Sequence, residues 1–430
     1  MSDKIDIWEW THADQERFRA EGGTRAAIID HYEEFWRCYH DDPLGAELAI
    51  HHAIEAAKAC DEPRWELHLR HWRIQNWVSQ SQVRRMLPEA VDLLDLAVDE
   101  RVKDVPQRIC AYHDVVECYV EIDPAGYSQE IKENSEHILS QLPRRYPCAD
   151  CARSNLARAA AAAGKVQEAE HWLAEGAAYR HDAPTASSMS GRGHTYIYLE
   201  QWDNAEHAYL EASKLAQKEE DGVRYLWALL GIARARLGKG DLAGAQQVMP
   251  HVRRNAKYEG SSNLIAEMLK VEGYMAEQHN APQAALDYFT RSAKIFEELG
   301  CSRDAAEIAL HAVEMAREHQ LTETQAVLAI AARAVGELPP ASHDLYERLA
   351  ALGVEPVVPT ASETTGSPET AEQLRAEEER KELADLEEIL HAHPQNGLFQ
   401  GITSALFRLG VWYDSHDQTR AALDYFIWAA

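Results

Sequence analysis

Apolar positions fall at helical spacing along most of the chain, and long β-branched runs are scarce. Ile28, Ile29, Tyr32, Phe35, Trp36 and Tyr39 mark one such stripe near the amino terminus. Proline and glycine punctuate the stripes. Asp42-Pro43, Glu62-Pro63, Asp123-Pro124 and Ala281-Pro282 each put proline near a first helical turn, where its missing N–H costs nothing. Gly164, Gly238, Gly240 and Gly300 stand where helices should end, because glycine tolerates the conformation that closes a helix. Alanine and leucine carry much of the apolar content, and both favour helix. The pattern predicts an all-α chain.

Within the helices a finer pattern repeats. Leu406, Leu409, Gly410 and Tyr413 are followed by Ala422, Phe426 and Ala429. Upstream, Ala285 and Phe289 follow Leu269, Gly273 and Ala276, and Ala245 and Met249 follow Gly240. Ala205, Tyr209 and Ala212 follow Gly193 and Tyr196, while Ala169 and Leu173 follow Leu156, Ala157 and Gly164. Ala90, Leu94 and Ala97 make a weaker copy. From Ala169 to Ala285 the alanine recurs after 36, 40 and 40 residues. The set resembles the tetratricopeptide repeat, W-x2-L-G-x2-Y…A-x3-F, with leucine in place of the tryptophan and a period longer than the usual length of about 34. In that family each repeat is two antiparallel helices, A and B, with small residues where they cross and large ones filling the spaces between. The resemblance therefore implies a right-handed superhelical solenoid of about nine or ten antiparallel hairpins.

This organisation divides the chain into four. Residues 1–60 lack repeat signatures and are expected to form a helical cap, and residues 61–352 carry the repeats. Residues 353–368 read G-V-E-P-V-V-P-T-A-S-E-T-T-G-S-P, a linker or exposed loop with little to bury. Residues 369–430 hold a glutamate-rich helix with Leu383, Leu386 and Leu390 on one stripe, then a last hairpin. That helix reads as a solvated element packing by its stripe. The sequence ends at Phe426-Ile427-Trp428-Ala429-Ala430, inside an expected helix B. Such an end is expected of a fragment of a longer protein, or of a terminus that docks on a partner.

Charge narrows the partners. Forty-three basic against seventy-one acidic side chains leave a formal charge of -28, which repels phosphate backbones and argues against direct nucleic-acid binding. No stretch of about 18 apolar residues suggests a membrane span. The opening Met-Ser-Asp-Lys-Ile-Asp-Ile-Trp lacks the basic start and apolar run of a signal peptide. Seven scattered cysteines suit reduced thiols. The expected location is the cytoplasm.

Catalytic and metal signatures are scarce. No Walker loop, H-E-x-x-H, G-x-S-x-G or strand feeding a glycine-rich turn occurs, so no enzyme and no cofactor are expected. Gly238-Lys239-Gly240 fits the turn of a repeat better than a phosphate loop. Cys148-Ala149-Asp150-Cys151 has redox or zinc spacing and opens a helix, yet it lacks both a second ligand pair and a βαβ context, so structural cysteines are the expectation. Among 21 histidines, His68 and His71 share a helix face and His51 and His52 point apart; no metal set is fixed by spacing.

The resemblance also places a groove. In tetratricopeptide arrays helix A lines the concave face, and the position eleven residues before each helix-B alanine should point into it. It reads Arg158, His194, Arg234 and Tyr274. Asn155, Tyr198, Trp227, Trp72, Gln75 and Asn76 are further candidates. Two arginines and a titratable histidine on so acidic a chain would reverse the local charge, and arginine and aromatic residues tend to dominate binding energy. The expected role is that of a non-enzymatic scaffold or adaptor holding a protein or peptide with acidic character. Two other roles fit the pattern: the recognition region of a larger effector, such as a protease or transcription regulator, or a sensor of a small signalling ligand. The paired lysines of chaperone-tail binders are missing beside Asn76 and Asn155, so that partner is not expected.

Overall fold

The computed structural model describes residues 8–39, 43–143, 146–179, 183–256 and 262–358. Eighteen α-helices and one 3-10 turn make up their regular structure, with no strand among them. Three helices come first: α1 (Glu9–Glu21), α2 (Gly23–Cys38) and α3 (Pro43–Ala59). Hairpins follow in order, α4 (Pro63–Ser79) with α5 (Val83–Ala97), α6 (Arg108–Ile122) with α7 (Ser128–Gln141), and α8 (Pro147–Ala162) with α9 (Val166–Ala178). Then come α10 (Ala186–Tyr198) with α11 (Trp202–Lys218), α12 (Gly222–Gly238) with α13 (Leu242–Asn255), and α14 (Ser262–Gln278) with α15 (Pro282–Leu299). The last described elements are α16 (Ser302–Glu318), α17 (Gln325–Gly336) and α18 (His343–Ala351). Apart from α9 and α10, each helix packs on its sequence neighbours, and from α4 to α14 the even-numbered helices also touch one another in succession. They form the inner row of a helical-hairpin solenoid, as the repeat pattern predicts. The expected helix and hairpin of residues 369–430, and residues 359–368 of the expected linker, lie outside the described residues.

The alanine ladder does what small residues must at a helix crossing. Ala90, Ala169, Ala205, Ala245 and Ala285 are all fully buried on outer helices. The aromatic residue four positions on meets glycine across the interface. A Cβ on Gly231 would sit 2.3 Å from the Tyr209 ring, and one on Gly193 2.7 Å from the same ring. Phe289 is fitted against Gly273 in the same way, at 2.4 Å. A buried phenylalanine contributes about 2–3 kcal/mol, and the glycines are what allow the ring in.

The inner-to-outer turns share one device. Gly164, Glu200, Gly240, Asn280 and Gln320 all have positive φ, at steps of 36, 40, 40 and 40 residues. At each, the following amide bonds back to a carbonyl five residues earlier, as Gln201 N does to Tyr196 O at 2.9 Å and Ala281 N to Ala276 O at 2.9 Å. This is the helix-closing motif that leaves no terminal carbonyl stranded. Gly238 ends α12 as expected but without a positive φ, and it lies against the Trp202 ring.

The repeats wind until the first two hairpins meet the last described helices. Asn263 of α14 donates to Ser81 Oγ at 2.9 Å, and Arg84 of α5 reaches Glu337 at 2.7 Å and the Glu297 carbonyl at 3.1 Å. Asp123, fully buried after α6, accepts from Arg303 of α16 at 3.1 Å and from Ser342. It also accepts from the backbone amides of Ala125 and Gly126. One apolar cluster runs through Leu67, Ile74 and Met86 at one end of the solenoid and Phe289, Leu310 and Leu345 at the other. These partners lie 180 to 253 residues apart in sequence.

The first three helices share a core with the solenoid. Phe18, Ile28, Phe35, Ile50 and Ile54 pack with Trp65 and Leu69 of α4. At the other end, Val357 N donates to Ala332 O at 2.9 Å, so residues 354–358 run along α17.

Candidate ligand-binding lumen

Because the inner helices stack side by side, equivalent positions on them form rungs. A cavity of about 550 Å³ opens on this face between α6, α8, α9, α10, α11, α12 and α14. Asn155, Arg158, His194, Trp227 and Arg234 all line it, which brings together five of the residues that the repeat spacing singled out. Tyr198 and Tyr274 belong to the same helices but do not line the cavity. Tyr198 stacks on His194, with centroids 5.4 Å apart, and Tyr274 packs on Phe289 and His311 at 5.0 and 5.4 Å.

The three candidates on α4 lie elsewhere. Trp72 is packed among Trp8, Trp36 and His71, with the Trp36 ring centroid 4.5 Å away, because the amino-terminal helices cover that part of α4. Gln75 donates to Asp114 of α6 at 2.8 Å. Asn76 is 1% exposed and sits in the wall.

Most charges in the cavity are already matched. Arg158 Nη1 meets Glu121 at 2.7 Å, and Arg153 meets Asp150 at 3.3 Å. Glu117 accepts from Asn155 at 3.0 Å and pairs with His113 at 3.1 Å. Burial works against both members of that pair, yet mutual attraction wins, lowering Glu117 to about 2 and raising His113 to about 9. Glu267 pairs with Lys270 at 3.2 Å, and Lys270 bridges on to Asp304 of α16 at 2.7 Å.

Arg234 is different. Burial works against its charge and Glu267 and Asp304 support it from a distance, but it makes no hydrogen bond and no ion pair among the described residues. Among the described residues, Arg192 reaches only the Tyr196 hydroxyl, at 3.5 Å. The expectation of a titrating His194 is corrected. Burial and then the Arg158 and Arg234 charges push its pKa well below the ordinary value, so it is neutral at pH 7.

The spacing rule missed part of the lining. Trp172 comes from the outer helix α9; its indole Nε1 is buried with no acceptor among the described residues. The start of α10 adds Thr185, Ser187, Ser188 and Ser190, with Thr185 and Ser188 closing a capping box. The run Ser187-Ser188-Met189-Ser190-Gly191-Arg192-Gly193 is short of bulk, and that was the available signal for a hollow.

No family model matches the sequence, and no curated protein aligns significantly with it. Solved structures do show similar chains. A Rap protein complexed with competence and sporulation factor aligns at 13% identity and a TM-score of 0.49, over 85% of this chain and 96% of that one. The apo form of RapI aligns at 10% identity and 0.38, over 84% and 96%. The apo form of the quorum sensor NprR from B. thuringiensis aligns at 14% and 0.38, over 81% and 97%. Scores this low do not establish a shared function.

Proposed function

We propose that this chain is a recognition protein whose lumen binds a short peptide or the end of a protein segment, with a carboxylate of the ligand on Arg234. The observation that carries this reading is the guanidinium of Arg234, unpaired among the described residues, in a cavity whose carboxylates, Glu117, Asp150 and Glu267, already have cationic partners. After those pairs are formed, what remains is cationic or hydrogen-bonding: Arg234, Arg192, the serines of α10 and the Trp172 N–H. Trp172, Trp227 and Tyr209 add flat apolar surface. A volume near 550 Å³ suits a ligand of a few residues rather than a folded domain. The same size supports a small signalling molecule bearing a carboxylate as a second reading.

Binding without chemistry belongs to the same proposal, since the acidic groups here serve in ion pairs. The role of Arg158 is to hold the wall, through Glu121. The test is a titration of the full chain with a pool of acidic pentapeptides and with the same pool in which Asn and Gln replace the acids and the carboxyl end is amidated. Trp172 and Trp227 emission supplies the signal. The acidic pool should bind at least tenfold more tightly, and Arg234→Met should abolish the difference, as loss of a charge-assisted bond of about 1.5–3 kcal/mol requires. Equal binding of both pools, unchanged in Arg234→Met, would sink the carboxylate assignment.

A further inference from the structure

The motif Cys148-Ala149-Asp150-Cys151 suggests a thiol pair within one helix. The fold offers Cys148 a different partner. Cys148 stands in the first turn of α8 and Cys110 in the first turn of α6, the neighbouring inner helix, and their Sγ atoms are 3.3 Å apart. A disulfide bond is about 2.05 Å, so closing it needs movement of little more than an ångström. We propose that Cys110 and Cys148 are a redox-active dithiol, which closes to a disulfide when a hydroperoxide oxidises Cys148.

The surroundings divide the work between the two sulfurs. Cys148 is half-buried, so an oxidant reaches it first, whereas Cys110 is 6% exposed. The first turn of a helix presents free backbone amides and the positive end of its dipole, both of which favour a thiolate. The hydrogen bond from Cys110 comes first among the influences holding Cys148 down, to about 7, and the His113 and His71 charges assist it against burial and Asp114. Cys110, giving that hydrogen bond and buried beside Asp114, is pushed up and keeps its proton. Cys151 is the more exposed thiol, yet it lacks this support: its environment, including the neighbouring Cys148, pushes its thiol up and keeps it protonated.

The chemistry balances with one co-reactant. The Cys148 thiolate attacks the O–O bond of the hydroperoxide, giving Cys148 sulfenic acid and, with one proton, the corresponding alcohol or water. Cys110 sulfur then attacks Cys148 sulfur, forming the S–S bond. Hydroxide leaves and takes the Cys110 proton as water. Two thiols lose two electrons in total and the peroxide gains them; an external dithiol reverses the change. Oxidation thus staples α6 to α8, the helices that carry Glu117 with Glu121 and Asn155 with Arg158.

The experiment uses the full reduced chain, treated with one equivalent of hydrogen peroxide at pH 7, alkylated with iodoacetamide and digested without reductant. Mass spectrometry should find the peptide containing Cys110 joined to the one containing Cys148, and dithiothreitol should separate them. Cys151→Ser should leave this product unchanged. In Cys110→Ser, Cys148 should instead be trapped as sulfenic acid by dimedone. Before oxidation, Cys148 should hold about tenfold more thiolate at pH 7 than an ordinary thiol, seen as an alkylation midpoint near that pH. A Cys148–Cys151 link, or a Cys148 that stays alkylatable after peroxide, would overturn the assignment. Neither peptide ligand nor Arg234 enters this test, so its result is independent of the lumen reading.

Discussion

Arg158 and Arg234 occupy equivalent rungs on α8 and α12, yet only Arg158 commits its guanidinium to a protein carboxylate, Glu121 at 2.7 Å. The two should therefore respond differently to truncation. Arg158→Ala leaves a half-buried Glu121 without its partner and should cost about 2 kcal/mol in urea unfolding. Arg234→Ala breaks no hydrogen bond or ion pair among the described residues and should stay within about 0.5 kcal/mol of wild type. Equal losses would mean that Arg234 also holds the fold.

Acid should weaken the fold through its buried histidines. Burial first, and then the His71 charge, pushes His68 down to about 3, and His194 is also held well below its ordinary value. An unfolded histidine takes its proton near pH 6.5. Because the folded pKa values are the lower ones, these residues contribute stability above pH 6.5 that is lost as the pH falls below it. Each adds a limiting slope of about 1.4 kcal/mol per pH unit. Urea melts between pH 7 and 5 should show the loss, and His68→Gln, which keeps a partner for the Tyr32 hydroxyl now 3.0 Å from His68 Nε2, should reduce it. An unchanged slope in that variant would show that His68 is not the source.

Gly231 gives a packing test. Adding a methyl group 2.3 Å from the Tyr209 ring forces a shift, so Gly231→Ala should destabilise by about 1–3 kcal/mol. Combining it with Tyr209→Leu should recover part of the loss, because the smaller side chain vacates the contested space. Additive losses in a double-mutant cycle would show that the two positions do not meet.

Asp123 joins the second hairpin to the last described helices. Asp123→Ala removes acceptors from Arg303, Ser342 and two backbone amides at once, and should cost about 3 kcal/mol. Small-angle scattering should then show a larger radius of gyration. An unchanged radius would place the strength of the junction in its apolar cluster instead.

Oxidation should act in the opposite direction. A bond between residues 38 apart in sequence stabilises by about 4 kcal/mol on loop-entropy grounds. The oxidised protein should melt later than the reduced one, with the difference erased by dithiothreitol.

The repeat architecture was legible because its constraint is local. A crossing of two helices admits only small side chains, and Gly193, Ala205, Gly273 and Ala285 record that at fixed spacing. The common turn was partly legible: Gly164, Gly240 and, more weakly, Asn280 announce it, but Glu200 and Gln320 adopt the same backbone without any residue preference to mark it. The groove positions were legible where the inner helices are open, as at Arg158 and Arg234. They failed at Trp72, where other helices cover the face, and at Trp172, which enters from the outer row. The contact of Asp123 with Arg303 had no signature at all, since neither charge is unusual in its own repeat. Cys148 was noticed for the neighbour it has in sequence, and its closer sulfur comes from another helix.

A solenoid with free ends behaves as a spring, and its pitch can change by small increments shared among all its turns. Joining Asp123 to Arg303 and Arg84 to Glu337 makes it a hoop. In a hoop, widening one rung is compensated by narrowing others or is expressed as a break at the junction. A ligand that wedges α8 from α12 therefore loads contacts on α5 and α16 that it never touches. If the lumen takes the proposed ligand, the junction is the place where its occupancy would become visible on the outside of the molecule.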